Sequence, residues 1–238
     1  MLRIMTLLIV SYTTLLFSAP VPGQVATTLQ EVTPRGGIVP VGGLPEGMSG
    51  IVVHSFDEGH EAIVAVAIVT RSGADRSEVE LRPFTALRQP RLPTAKAEPR
   101  SGDRVVLGYL YDRLLPIVPN ARSFEKAKKA LDRYTLVHPD LFAVELAGDR
   151  DALPHRNNFQ KICTKLHLGL VMFMFKERSD FIDCNSWKRV AQSDLHAADG
   201  ELVAPFYNRF GPIEPPFYDF SNYELKNFDR FYTMVEEE

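Results

Sequence analysis

The sequence is poor in the residues and motifs that announce a function directly. Of 238 residues, two are cysteine and one is tryptophan, and the formal net charge is −3. A balance this close to neutral gives no reason to expect a nucleic-acid partner. His54, His60, His138, His155, His167 and His196 are scattered, with no HxxxH or HxH spacing. A zinc site wants three or four organised ligands, so no metal is expected. GxSxG, P-loop and paired-carboxylate motifs are missing, and neither catalytic residues nor a cofactor are assigned. The expectation is a protein that binds rather than catalyses. Basic residues are mostly Arg, and Lys is sparse. Beyond the first residues no apolar run is long enough to span a bilayer.

The beginning of the chain is apolar. Arg3 precedes a run from Ile4 to Phe17, interrupted by Ser11, Thr13 and Thr14 and followed by small residues and prolines. That is the layout of a secretory leader. Pro20 would block a cut after Ala19, so cleavage is expected at Gly23 or Ala26, with the leader taken as residues 1–23. No cysteine near the cut invites a lipid anchor. The mature protein is expected in the periplasm, on the outer membrane surface or outside the cell, with no transmembrane span. Export permits a Cys163–Cys184 disulfide, which would close a loop of about 20 residues and contribute about 3 kcal/mol. The alternative, which the sequence alone favours, is two unpaired thiols: Cys163 on a buried helix face and Cys184 in a turn.

Up to about residue 120 the pattern is β. Short β-branched runs, Ile38–Val41, Ile51–Ser55, Ala62–Thr70, Glu78–Arg82, Val105–Leu110 and Leu114–Val118, are separated by Gly, Pro and Asp clusters. Gly47 and Gly50 flank a turn around Met48, Gly102-Asp103 makes another, and Tyr111-Asp112-Arg113 reads as a hairpin. Residues 87–99 are too Pro-rich for a central strand and read as an extended loop. After Asn120 the spacing becomes helical. Phe124, Ala127, Leu131 and Tyr134 form one face, with Ser123 as cap, and Arg122, Lys126, Lys129 and Arg133 lie opposite. A second helix is expected over Asn158–His167 with Asn157 as cap. "LGLVMFMF" reads as a buried strand in a hairpin with "FIDCNSWKRV". Residues 192–222 read as an aromatic strap, and Leu225, Phe228, Phe231, Tyr232 and Val235 as a last helical face. Its three closing glutamates oppose the helix dipole, so fraying is expected there. The predicted fold is α+β: a small, SH3-like β-barrel over 24–120 packed on an α+β unit over 121–238 with a C-terminal helix.

His138-Pro139-Asp140 is the tripeptide of J-domain co-chaperones. There it lies in a charged loop between long helices; here Leu-Phe-Ala-Val follows at once. Pro139 suits the first helical position, Asp140 suits the positive helix end, and Gly148 is the expected C-terminal cap. A helix start explains the tripeptide without a chaperone.

The blocks "GMSGIVVH", "ALRQPRLPTAKAEPRSGDRVVLGYLYDRLLPIVPN", "VHPDLFAVEL" and "VAPFYNRF", in that order, resemble the N-terminal domain family of plasminogen-binding protein A, over about residues 38 to 235. The resemblance implies an exported envelope or surface protein that captures host plasminogen. Kringle modules take a Lys ammonium in an aromatic trough, best with a carboxylate nearby. The sequence closes on Glu236-Glu237-Glu238 rather than Lys, so an internal lysine would have to serve. The candidate is Glu125 with Lys128 or Lys129 at i,i+3 and i,i+4 spacing, together with Lys126 and Arg133. The competing readings are a plain solvated helix face and, for the whole protein, a periplasmic structural or assembly factor.

Overall fold

The computed structural model describes residues 21–57, 59–86, 97–213 and 225–238. Residues 1–20 of the expected leader, the greater part of the Pro-rich loop and the later part of the expected aromatic strap lie outside the described residues.

Seven antiparallel strands form the first sheet: β1 (Val25–Thr28), β2 (Gln30–Thr33), β3 (Gly36–Val39), β4 (Ser49–Asp57), β5 (His60–Ser72), β6 (Ser77–Pro83) and β7 (Arg104–Leu107). They lie in the order β1-β7-β4-β5-β6-β3-β2. The two edge strands are consecutive pieces of chain with only Leu29 between them, fully buried, so the sheet curls into a barrel-like shell. The expected barrel is therefore present as a curled half-barrel; an SH3-like form is not what the strand order shows. Gly47 and Gly102 take positive φ in their turns. Gly50 serves a different need: a Cβ there would stand 2.2 Å from the Val106 carbonyl oxygen on the neighbouring strand.

The second sheet comprises β8 (Arg113–Ile117), β9 (Thr135–Leu136), β10 (Leu170–Met174), β11 (Ser179–Asp183) and β12 (Arg189–Ser193), in the order β12-β11-β10-β8-β9. The β8 strand runs parallel to β9 and β10. The expected hairpin at Tyr111-Asp112-Arg113 does not form. Both edges of β7 are taken by β1 and β4, so β8 has no free edge there and crosses to the second sheet. The described residues also form four helices: α1 (Ala121–Ala130), α2 (Pro139–Asp149), α3 (Arg156–Leu166) and α4 (Phe228–Glu237).

The central position of β10 explains its unbroken apolar sequence, since a strand covered on both faces has no polar side to alternate with. Leu170, Met172 and Met174 face the half-barrel core with Val52, Leu107 and Phe124. Val171 and Phe173 face the other way, into a core with Phe142, Phe159, Trp187 and Tyr232 from the helical side. A disulfide joins Cys163 on α3 to Cys184 after β11, with Cα atoms 5.9 Å apart; the unpaired-thiol reading is overturned because α3 lies directly against the end of the strand.

The caps also differ from expectation. The α2 helix stops at Arg150, in the left-handed region, rather than at Gly148. The α3 helix starts two residues earlier than expected, with His155 as its cap. The α4 end is held rather than frayed: Glu238 accepts a hydrogen bond from the Arg156 N–H at 2.8 Å, at the positive end of α3. The three glutamates that oppose one helix dipole thus include one that favours another.

Candidate functional site

Asn120 starts α1. Its Oδ1 accepts from the Ser123 N–H at 2.9 Å and its Nδ2 donates to the Ala198 carbonyl at 3.0 Å. The cap is therefore Asn120, three residues before the expected Ser123. Ser123 is fully buried in the first turn and its hydroxyl accepts from the Ala198 N–H. Phe124, Ala127 and Leu131 enter the core shared by the two sheets. The Phe124 ring lies 4.6 Å from His138 and 5.6 Å from Tyr207.

That anchored inner face decides what turns outward. Arg122, Glu125, Lys128 and Lys129 are exposed and Lys126 is half-buried. Arg133, just past the helix, is exposed, lies 4.8 Å from the centre of the Tyr134 ring and donates to its hydroxyl. Glu125 lies on the same helix as these lysines but makes no ion pair with Lys128 or Lys129. Among the described residues, no carboxylate comes within 4.0 Å of Lys126, Lys128 or Lys129. The α3 lysines contrast with these. Lys161 donates to Asp149 at 2.6 Å and sits 3.1 Å from Glu145, and Lys165 also donates to Glu145. Those bonds, from Lys165 first and Lys161 second, hold the Glu145 carboxyl below its ordinary range.

The His-Pro-Asp residues sit beside α1 and form the start of α2. The His138 Nδ1 accepts from the Asp140 N–H at 3.2 Å, capping α2, with Pro139 at the first helical position. The Asp140 carboxylate accepts from the Arg209 N–H at 2.9 Å and from its guanidinium. Burial works to raise the Asp140 carboxyl, but these bonds and the neighbouring His138 outweigh it and the pKa is lowered. His138 is pushed down, first by burial, against the pull of Asp140. Phe206 stacks on Phe142 at 5.3 Å. The "VHPDLF" and "VAPFYNRF" blocks are thus two sides of one latch. The strap is buried there, although Phe210 at its end is 69% exposed. The earlier blocks meet in the same way: Asp103 bonds His54 at 2.7 Å and holds the Arg100 N–H.

Sequence reasoning missed a buried polar node. Asp183, fully buried, accepts from the Ser49 hydroxyl at 2.6 Å, the Tyr111 hydroxyl at 2.8 Å and the Asn185 and Ser186 N–H groups. Burial raises its pKa despite these bonds, and raises Tyr111 well above its ordinary value. The node ties the half-barrel to the second sheet; with no access to water it has the character of a joint. Its hydroxyl partners, Tyr111 and Ser49, lie 72 and 134 residues away, so no local pattern marks the node as a whole. Among the described residues, no group of three or more His, Cys, Asp or Glu is placed to hold a metal ion, and no helix is long and apolar enough to cross a membrane.

Comparison with known proteins adds a family. The model described as plasminogen-binding protein pgbA N-terminal matches residues 24–235. Two relatives, both called plasminogen-binding protein PgbA, come from Helicobacter pylori strains 26695 and J99. They are 22% and 21% identical over 199 residues, covering 82% of this chain and 43% of each relative. The chain therefore corresponds to less than half the length of either. No solved structure matches.

Proposed function

This chain belongs to the plasminogen-binding protein pgbA N-terminal family, and from that premise we propose that it is an exported, non-enzymatic binding protein that captures plasminogen through the lysines of α1. One observation carries the reading: Lys126, Lys128 and Lys129 gather on one helix with no carboxylate partner among the described residues, whereas Lys161 and Lys165 are already neutralised by Glu145 and Asp149. A kringle offers an acidic end to a lysine ammonium. A lysine already paired must first give up its bonds, and a free one loses only water and side-chain entropy. Glu125 on the same face supplies the nearby carboxylate that such a trough favours, and Arg133 extends the positive strip.

The test is binding to immobilised plasminogen by surface plasmon resonance. Replacing Lys126, Lys128 and Lys129 together by Ala is expected to weaken capture at least about tenfold, replacing Lys161 and Lys165 to leave it unchanged, and a soluble lysine analogue to compete. Capture unaltered in the α1 variant overturns the lysine mechanism. Export to the surface is tested separately: protease treatment of intact cells removes a surface protein, and its survival there would favour the periplasmic assembly role instead.

A further inference from the structure

The outward face of the half-barrel is not polar. Along β4 and β5, Val52, Ala67 and Val69 point into the core, and the alternate positions Ile51, Ile63, Val66 and Ile68 are apolar too. They form one wall of a cleft of about 600 Å³. The opposite wall is the end of α3 with Leu168 and the Cys163–Cys184 bridge, and Phe84 and Tyr109 also line the cleft. The volume falls in the range of small-molecule sites, about 300–1,000 Å³, and an apolar surface of this kind marks a place for a ligand.

The charge of the lining is one-sided. Arg82, Arg113 and His167 line the cleft, and no carboxylate does among the described residues. Arg82 brings its own counter-ion, bonding Glu80 at 3.0 and 2.9 Å. Arg113 does not. Its Nε donates to the His167 carbonyl at 2.8 Å and one terminal nitrogen donates to the Leu166 carbonyl at 3.0 Å. The guanidinium is thereby fixed in place with no carboxylate within 4.0 Å among the described residues. The end of α3 offsets about half a charge, and the remainder stays unbalanced beside an apolar wall.

We infer that this cleft binds a single-chain amphipathic anion, its aliphatic chain along Ile51, Ile63 and Ile68 and its carboxylate on Arg113. The inference is independent of plasminogen capture, since α1 contributes nothing to the cleft. The disulfide holds one wall rigid, so the site is largely formed before the ligand arrives.

Isothermal titration of dodecanoate, below its micellar concentration, into the intact disulfide-bonded protein tests this. One saturable site is expected. Dodecyltrimethylammonium and acetate, which have the wrong charge and no chain respectively, are expected to bind at least about tenfold more weakly. Ile63→Trp, at a half-exposed position, fills the cleft and is expected to abolish binding without disturbing the fold, checked by circular dichroism. Arg113→Met is expected to weaken dodecanoate about tenfold while leaving dodecanol within about twofold. No saturable dodecanoate site, equal affinity for the cationic chain, or dodecanoate binding unaffected by Ile63→Trp would each overturn the assignment. If Arg113→Met fails to fold, the Ile63→Trp and cationic-chain measurements still decide it.

Discussion

Helices α1 and α3 are nearly equal in length, 10 and 11 residues, and each turns one apolar face inward and a lysine-bearing face outward. Their surroundings differ. The α3 helix is embedded: Phe159 is fully buried among Phe142, Phe173 and Trp187, with ring centres 4.7 to 5.4 Å apart. A disulfide fastens its middle, Glu238 holds its first turn, and α2 supplies carboxylates for its lysines. The α1 helix is mounted at a rim by Asn120, Phe124 and Ala127, and no carboxylate among the described residues lies within 4.0 Å of its lysines. The difference teaches that a lysine's availability is set by the neighbouring helix, not by its own sequence. The α3 lysines are spent on the fold, whereas those of α1 have no carboxylate partner among the described residues.

The most severe way to break this contrast is through the anchors. Phe159→Ala is expected to cost about 3–5 kcal/mol, and Phe124→Ala, at the rim and 7% exposed, about 2–3 kcal/mol. Guanidinium unfolding with the disulfide intact measures both, and equal losses would mean that α1 is as embedded as α3. Next comes the staple. Replacing Cys163 and Cys184 by Ser is expected to cost about 2–4 kcal/mol while leaving plasminogen capture by the folded protein unchanged, since α1 is not fastened by it.

A smaller effect concerns the packing of α4 on the second sheet. Glu236 packs against Asp180, with Arg189 reaching both and Arg178 reaching Asp180. Burial, then the Asp180 charge, pushes the Glu236 carboxyl up to about 7. The folded state therefore holds this proton to higher pH than the unfolded chain, whose Glu titrates near about 4.3. The contribution is intact below about pH 4.3 and is lost as pH rises through 7. His138 and Asp140, both lowered, act in the opposite sense: their contributions are lost as pH falls. Only comparison with Glu236→Gln isolates the contribution of this carboxyl. That variant is expected to be about 1–2 kcal/mol more stable than the parent at pH 8 and to lose the slope between pH 4.3 and 7, measured by unfolding across pH.

The smallest stability effect is the sharpest for function. Glu145→Gln with Asp149→Asn frees Lys161 and Lys165 and, as a change of exposed or half-exposed pairs, should alter stability by less than about 1 kcal/mol. Placed in the chain whose α1 lysines are Ala, it is expected to restore part of the plasminogen capture measured by surface plasmon resonance. No recovery would show that lysine pairing is not what separates the two helices.

Much of the local structure was legible. The strands from Ile51 and Ala62, the buried run at Leu170, the α1 apolar face and the reading of His-Pro-Asp as a helix start all rest on periodicity, turn residues and cap chemistry, which act over a few residues. The α1 basic residues could be named for the same reason. What was not legible depended on distant partners. Arg209 is the counterpart of Asp140 and Ser49 that of Asp183, and Glu238 caps a helix 82 residues away. Arg113, read as part of a hairpin, became the fixed cation of a cleft because β7 had no edge left to offer.

The sequence by itself determined most of the strands and helices, though not β1, β2 or β9, and which of their faces would seek the interior, because side-chain periodicity and backbone preference are local properties. Only the tertiary structure decided that the two cysteines are joined, that the carboxylates of α2 reach the lysines of α3 and not those of α1, and that an arginine stands beside an apolar wall. Those outcomes depend on distances between segments far apart in the chain, which burial of the two cores sets and no short window of residues encodes.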